Sequence, residues 1–252
     1  MNGVNKIAVF LNKYFTMGEN MKRVLLKISG EALKGDKDFG YSSTMLKQVA
    51  KDVFDLQKEG YQISIVVGGG NIFRGVNGAE TGIKRVNSDY MGMLATIMNA
   101  IALGDVLFSE GLKTKVMSAI KMDSVVEPYS YKRACSFLEK GEVVIFGGGT
   151  GNPYFTTDTA ATLRAIEMNS DMLLKATKVD GVYDKDPAKF TDAKLYTKLS
   201  FDEAMEKGLK IMDLTAFALA SDNNLEIIVF NLFKKGNLLK AVKKEVGTQV
   251  SF

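Results

Sequence analysis

Short apolar runs alternate along the chain with longer segments in which apolar and polar residues mix. The apolar runs are continuous and rich in Val, Ile and Leu, as is typical of strands that are buried on both faces. They predict strands at residues 23–28, 63–67, 115–118, 143–146, 171–174 and 226–230. The mixed segments predict helices at residues 42–59, 88–110, 129–140 and 157–169, with further helices later in the chain.

This alternation predicts an α/β fold with a mainly parallel central sheet and helices on both of its faces. Ser42 or Ser43 is expected to cap the first long helix. Gly60 and Gly141 are expected to follow the ends of two helices, because glycine readily adopts the left-handed conformation that ends a helix.

One predicted helix is apolar around nearly its whole circumference, from residue 91 to residue 103. A helix on the surface of a globular protein normally has one apolar stripe. We therefore expect this helix to be covered on two sides. The second cover is either the rest of the same subunit or, in the interpretation that we prefer, another copy of the chain.

The length of 252 residues suits one large domain, which we place at residues 21–252. Residues 1–20 are predicted to be an N-terminal extension, because their apolar run is too short for a signal peptide. The apolar stretches fall short of the roughly 18 residues that a membrane span needs. The single cysteine, Cys135, cannot form an internal disulfide, which favours a cytoplasmic location.

The charged residues and the missing residue types limit the possible chemistry. The net charge of +4 is modest and its charges are interspersed, so no nucleic-acid partner is expected. The chain contains no histidine, which excludes Ser-His-Asp and Cys-His catalysis and nearly every histidine-based metal site. Catalysis would have to use Lys, Arg, Asp, backbone amides and a hard metal ion.

Three glycine-rich turns each follow a predicted strand, at residues 27–30, 68–71 and 147–153. Glycine lets backbone N–H groups approach an anion closely, and the start of a following helix adds positive potential. One such turn is common in α/β folds. Three of them in one domain indicate that several phosphate groups are held together, as phosphoryl transfer requires.

Three side chains near these turns are candidates for catalysis. Lys27 lies at the end of the first strand and could stabilise charge on a transferred phosphoryl group. Arg74 follows the second turn and could bind phosphate oxygens with its planar fork. Asp158 opens the helix after the third turn, where a carboxylate also serves as a routine helix-terminal charge. Taken singly, each could instead be an ordinary surface residue.

The predicted alternation breaks at residues 177–199. Asp180-Gly181 in this segment predicts a hairpin turn, and Asp186-Pro187 predicts the start of a loop. Charged residues surround this turn and could meet a nucleotide and its magnesium, or could form a solvated loop. They are Lys175, Lys178, Asp180, Asp184 and Asp186.

Together these segments resemble the bacterial UMP kinases of the amino acid kinase superfamily. The resemblance covers nearly all of residues 21–252. Its specific parts are LKISGEAL at 26–33, VGGGNIFRG at 67–75, DYMGMLAT at 89–96, GTGNPYFTTDTAA at 149–161, KATKVDGVY at 175–183, Asp186-Pro187 and Met212-Asp213. The run of thirteen residues from Gly149 is the most specific of these.

The resemblance implies a three-layer αβα sandwich that transfers the γ-phosphoryl group of ATP to UMP with Mg²⁺, with no metal ligand assigned to the protein. It implies a catalytic role for Lys27, Asp158 and Arg74. The ATP site would comprise Lys27, Ile28, Ser29, Gly30, Gly70, Arg74, Thr177, Tyr183 and Asp186. The UMP site would comprise Gly69, Asp89, Thr150, Gly151, Asn152, Pro153, Tyr154, Phe155, Thr156 and Thr157.

The resemblance also implies a homohexamer built from dimers. Inhibition by UTP and activation by GTP, through residues 35–40, remain open because regulation varies within the family. Two alternatives stay open as well. A related kinase could phosphorylate an amino-acid carboxylate or carbamate, and a non-catalytic relative could bind nucleotides or oxoanions only.

Overall fold

A nine-stranded sheet runs through the computed structural model, which describes residues 22–73 and 82–252. The strands are β1 (Arg23–Ile28), β2 (Gln62–Val67), β3 (Thr114–Ser118), β4 (Glu127–Pro128), β5 (Val143–Gly147), β6 (Met172–Thr177), β7 (Lys198–Ser200), β8 (Glu226–Asn231) and β9 (Thr248–Ser251). Their order across the sheet is β4-β3-β5-β2-β1-β6-β8-β9-β7. Neighbouring strands are parallel except for β8 and β9, so the prediction of a mainly parallel sheet is confirmed.

Helices cover both faces of the sheet. They are α1 (Gly30–Lys34), α2 (Ser43–Lys58), α3 (Arg85–Ser109), α4 (Tyr131–Glu139), α5 (Thr157–Glu167), α6 (Phe201–Glu206), α7 (Leu214–Asp222) and α8 (Asn237–Val242). One core cluster joins the sheet to α1, α2, α3 and α8, and a second joins its other face to α4, α5, α6 and α7. Val24 and Leu26 belong to the first cluster and Leu25 to the second, as the two-residue period of a strand requires.

The helix ends that were predicted from capping residues are confirmed. The Ser42 hydroxyl accepts a hydrogen bond from the Met45 backbone N–H, and α2 begins at the next residue. Gly60 and Gly141 follow the ends of α2 and α4 with φ angles of +85° and +73°. These angles lie in the left-handed region that glycine tolerates without strain.

The prediction of a hairpin turn at Asp180-Gly181 is wrong. The chain bends there, but the residues on the two sides of the bend do not form strands that pair with each other. Gly181 instead packs directly against Thr248 of β9, whose hydroxyl accepts a 2.8 Å hydrogen bond from the Val182 N–H. A glycine needed for close packing was therefore mistaken for a glycine needed for a turn. The antiparallel pairing in this segment joins Tyr183 to Leu195.

The long apolar helix α3 is covered on one side by its own subunit. Ile97 is buried against the β5 turn, whereas Leu94 and Met98 are exposed on the opposite side. Within the described residues, α3 is long and apolar enough to cross a membrane by composition, contrary to the sequence prediction. Half of that apolar window is buried inside the protein, as in the core helix of a globular domain. The predicted N-terminal extension lies outside the described residues.

Candidate active site

Two of the three glycine-rich turns pack backbone against backbone at the carboxyl ends of β1 and β2. A Cβ atom on Gly30 would lie 2.5 Å from both the Gly70 nitrogen and the Asn71 Oδ1 atom. A Cβ atom on Gly68 would lie 2.9 Å from the Gly30 nitrogen. Because any side chain would separate the turns, glycine is required at these positions for their contact. The carboxyl end of a parallel sheet is also where α/β proteins bind ligands.

The third turn follows β5 and is fixed by helix α3. Its residues Gly148, Gly149 and Gly151 have φ angles of +78°, +56° and +82°. The Gly148 N–H donates a 2.8 Å hydrogen bond to the Thr96 hydroxyl of α3. Since β5 neighbours β2 in the sheet, this turn lies beside the other two, as the sequence predicted.

A cleft of about 430 Å³ opens between the second turn, the third turn and α3. Six residues of the predicted UMP site line it. They are Gly69, Asp89, Asn152, Phe155, Thr156 and Thr157. Thr150, Gly151, Pro153 and Tyr154 belong to the same loop. Gly70, predicted to contact ATP, lines this cleft too.

Asp89 is held in place by two donors at the rim of this cleft. Its Oδ1 atom accepts from Arg85 Nε at 2.8 Å, and its Oδ2 atom accepts from the Tyr154 backbone N–H at 2.7 Å. Arg85 also lines the cleft and was not among the predicted site residues. Its four-residue spacing from Asp89 on one helix was the signal that could have found it.

A second cleft, of about 600 Å³, lies beside β6 and the segment that follows it. Thr177, Tyr183 and Asp186, all predicted to contact ATP, line it together with Lys175. The Asp186 Oδ1 atom accepts from the Ala188 backbone N–H at 3.0 Å, so it also fixes its own turn. Arg74 lies outside the described residues, and its predicted role stays a prediction.

A carboxylate between two lysines lies where the two clefts approach each other. Lys27 Nζ lies 2.8 Å from Asp158 Oδ1, and Lys175 Nζ lies 2.5 Å from Asp158 Oδ2. Asp158 directly follows Thr157 of the first cleft, whereas Lys175 lines the second. The three side chains are only 12–15% exposed.

The two lysines meet because of the strand register. Residue 27 of β1 and residue 175 of β6 are direct partners in the parallel sheet, so both side chains leave the same face. In the sequence, Lys175 is only one of several charged residues near a predicted turn. Its partnership with Lys27 becomes visible once β1 and β6 are known to be adjacent.

The charges of this cluster are set by burial and by mutual attraction. Burial raises the pKa of Asp158, but the ammonium groups of Lys27 and Lys175 outweigh it and bring the pKa below its ordinary value. The carboxylate is therefore ionised at neutral pH. Burial lowers the pKa of Lys175, and the attraction of Asp158 offsets this only in part. With both lysines protonated, the cluster carries one net positive charge.

Helix α5 is anchored so that Asp158 faces the two lysines. The Thr156 hydroxyl caps the helix by accepting from the Asp158 backbone N–H at 3.1 Å. The same hydroxyl donates to Asp213 Oδ2 at 2.5 Å, and the Thr159 hydroxyl donates to Asp213 Oδ1 at 3.0 Å. Asp213 in turn caps α7. The starts of the two helices are thus joined beside the cluster.

Comparisons with known proteins agree with this geometry. The sequence profile of the amino acid kinase family matches residues 22–231. The uridylate kinase of Campylobacter curvus (strain 525.92) is 57% identical over 225 residues, which is 89% of this chain and 94% of that protein.

Solved structures of two bacterial proteins have the same fold. The crystal structure of a UMP kinase from Bacillus anthracis superposes with a TM-score of 0.88 at 42% identity, covering 91% of this chain and 96% of that one. The UMP kinase from Ureaplasma parvum has a TM-score of 0.88 at 39% identity, covering 92% and 100%. This chain therefore belongs to the amino acid kinase family.

Proposed function

We propose that this protein is a nucleoside monophosphate kinase that transfers the γ-phosphoryl group of ATP to UMP, giving UDP and ADP. The observation that carries the proposal is the position of Lys27, Asp158 and Lys175 between two nucleotide-sized clefts. The uridylate kinase and UMP kinases to which the chain is similar support the choice of substrates.

UMP is assigned to the cleft between the second and third turns. There, Asp89 would accept hydrogen bonds from the ribose hydroxyls, and the loop of residues 150–157 would surround the nucleotide. ATP is assigned to the cleft beside β6, near Thr177, Tyr183 and Asp186. Its phosphates would extend toward the N–H groups of the first turn, at Ser29 and Gly30, which lies at the end of β1.

The transfer needs no general base in this arrangement. The second pKa of a phosphate monoester is about 6, so an ionised UMP phosphate oxygen is the nucleophile at neutral pH. That oxygen forms a bond to the γ-phosphorus, and the bond from the γ-phosphorus to the β,γ-bridging oxygen breaks. The electron pair stays on the departing ADP. The obstacle is repulsion between two anions, which positively charged groups between the clefts offset.

The lysines and Asp158 have separate roles in this scheme. Lys27 and Lys175 place two ammonium groups where negative charge moves during transfer. Asp158 holds both in position, because each carboxylate oxygen contacts one of them. Without Asp158 the two like charges would repel each other and turn outward to solvent. Positioned charges of this kind need little reorganisation during the reaction.

Magnesium is assigned to the nucleotide rather than to a protein cage. Across residues 22–73 and 82–252 there is no group of three or more Cys, Asp or Glu side chains suited to a metal ion. Both Asp158 oxygens are already occupied by lysines. Mg²⁺ bound to the phosphates would supply further charge neutralisation.

The assembly and its regulation are also part of the proposal. The exposed apolar side of α3 would pair with a second copy of the chain about a two-fold axis, and three such dimers would form a homohexamer. UTP, which shares its base and sugar with UMP, would inhibit by occupying the first cleft. Activation by GTP through residues 35–40, and a cytoplasmic location, remain predictions.

A coupled assay for ADP release tests the proposal, with UMP, CMP, glutamate and aspartate offered in turn at saturating Mg-ATP. We expect rapid turnover with UMP and far slower turnover with CMP. Turnover with glutamate or aspartate alone would instead identify a carboxylate kinase. Tight nucleotide binding without ADP release would identify a non-catalytic binding protein.

A further inference from the structure

Two buried asparagine side chains contact each other at the second glycine-rich turn, and neither lines a substrate cleft. Asn71 is the last residue of the turn and is 2% exposed, and Asn99 lies in α3 and is completely buried. Neither belongs to the catalytic cluster. A buried amide is costly unless its hydrogen-bonding atoms find partners, so two of them in contact require an explanation.

The two amides satisfy each other. Asn99 Nδ2 donates to Asn71 Oδ1 at 2.6 Å, and Asn71 Nδ2 donates to Asn99 Oδ1 at 3.2 Å. This reciprocal pair leaves each side chain one further N–H donor. The remaining donors determine what the pair holds.

Each remaining donor binds the backbone of a different segment. Asn99 Nδ2 donates to the Gly68 carbonyl of the second turn at 2.6 Å. Asn71 Nδ2 donates to the Gly40 carbonyl at 2.9 Å, and the Gly40 N–H donates to the Asn71 carbonyl at 3.1 Å. The pair thus ties together α3, the second turn and the segment that ends at Gly40.

The position of this pair also affects the first turn. Gly30 packs so closely that a Cβ atom on it would lie 2.5 Å from Asn71 Oδ1. A shift of the Asn71 side chain would therefore reach the turn assigned to the ATP phosphates. The second turn, which the pair holds through Gly68, includes Gly69 and Gly70 in the cleft assigned to UMP.

We propose that Asn71 and Asn99 are positioning residues for phosphoryl transfer, which fix the first and second turns relative to each other. This inference rests on the proposed function. The two anionic phosphates must be brought into line at close range, and a misplacement of about 1 Å can cost on the order of 10²-fold in rate. Buried amides suit this role because their bonds fix both distance and direction.

The first test replaces Asn99 by aspartate, which keeps the shape of the side chain but removes its Nδ2 donor to Gly68 and to Asn71. We expect kcat with UMP and ATP to fall about 10-fold to 100-fold, while KM for each substrate changes less than about threefold. Leu103→Ala is the matched control, because Leu103 is fully buried one turn further along α3. It should lower the melting temperature while leaving kcat within about twofold of the wild type.

A double-mutant cycle tests whether the two asparagines act together. Asn71→Ala and Asn99→Ala should each lower kcat, and the double variant should lose little more than the worse single variant, because both break the same pair. Losses in kcat that simply multiply would contradict a shared role. This cycle also replaces the first test if Asn99→Asp fails to fold.

Hydrogen exchange of the substrate-free protein separates this inference from the proposed function. Amides of residues 68–73 should exchange faster in Asn99→Asp than in Leu103→Ala, whatever the substrate is. If these amides exchange faster but the protein does not phosphorylate UMP, the positioning role is supported and UMP is not the acceptor. Unchanged exchange together with kcat within twofold of the wild type would overturn the inference.

Discussion

The residues that carry the proposed chemistry differ in how far the sequence could identify them. Lys27 and Asp158 were predicted from their places beside glycine-rich turns, and the structure brings them to 2.8 Å. Lys175 was seen only as one charge among several. The sequence could not pair it with Lys27, because the two residues are 148 positions apart in the chain and become neighbours only where β1 pairs with β6. The roles of all three remain proposals.

Removing either lysine should impair catalysis more than folding. We expect Lys27→Ala and Lys175→Ala each to lower kcat on the order of 10²-fold to 10³-fold, because each removes a charge that stabilises the transition state. Steady-state kinetics measures this effect, and circular dichroism checks the fold. Lys178→Ala is the matched control, since Lys178 is exposed and lies outside the cluster. A Lys175 variant as active as this control would make Lys175 an ordinary structural residue.

Asp52 should give the protein a pH dependence that is unrelated to catalysis. Burial against the start of α8, where Asp52 Oδ1 accepts from the Gly236 N–H at 3.3 Å, raises its pKa to about 6. The unfolded value is about 4, so the folded state binds this proton more tightly. The contribution of Asp52 to stability is therefore full below pH 4 and is lost as the pH rises through 6.

Denaturant unfolding of the wild type and Asp52→Asn at several pH values checks this. The free energy of unfolding of the wild type should fall relative to the variant by about 2 kcal/mol between pH 4 and 6, and the difference should then stay constant. The comparison with the variant cancels the opposite trend of Asp158, whose pKa is lowered. A difference that does not change with pH would mean that Asp52 titrates normally.

Among the strands and helices, the sequence predicted those whose positions are determined by apolar runs. Six strands and four helices were found within a few residues of their observed positions, because burial on both faces imposes continuous apolar runs. The strands β4, β7 and β9 were missed. They have two to four residues each and mixed composition, so their pairing depends on neighbours brought by the fold.

Helix α3 carries the prediction for assembly. The sequence showed that α3 is apolar around nearly its whole circumference, but it did not show which residues face outward. Ile97 is 2% exposed and Met98 is 53% exposed. An acidic substitution at Ile97 would therefore disrupt the core, and the outward residues Leu94 and Met98 are the proper test of an interface.

Met98→Asp and Leu94→Asp should dissociate the dimer, because a carboxylate would be buried against its counterpart across the two-fold axis. Sedimentation of the wild type should give a mass of about six chains. Met205→Asp is the matched control, since Met205 is a methionine of equal exposure on α6, and it should keep the mass of the wild type. If Met98→Asp also keeps that mass, this face of α3 is not the interface.

In the molecule as a whole, one buried cluster of charge adjoins both clefts, the first through Thr157, which precedes Asp158, and the second through Lys175. The turns were predicted individually, and their convergence followed from the rule that parallel strands present their carboxyl ends at one edge. The division into two clefts was not predictable from spacing alone. It depends on the third turn packing against α3 and on the segment after β6 packing against β9.

In the proposed mechanism the first cleft binds UMP and the second binds ATP, and KM measurements on two variants test this assignment. Asp89→Asn should raise KM for UMP and leave KM for ATP nearly unchanged, because Asp89 lines only the first cleft. Tyr183→Ala should do the reverse, because Tyr183 lines only the second. A rise in KM for ATP in Asp89→Asn, with KM for UMP unchanged, would contradict the assignment of the two clefts.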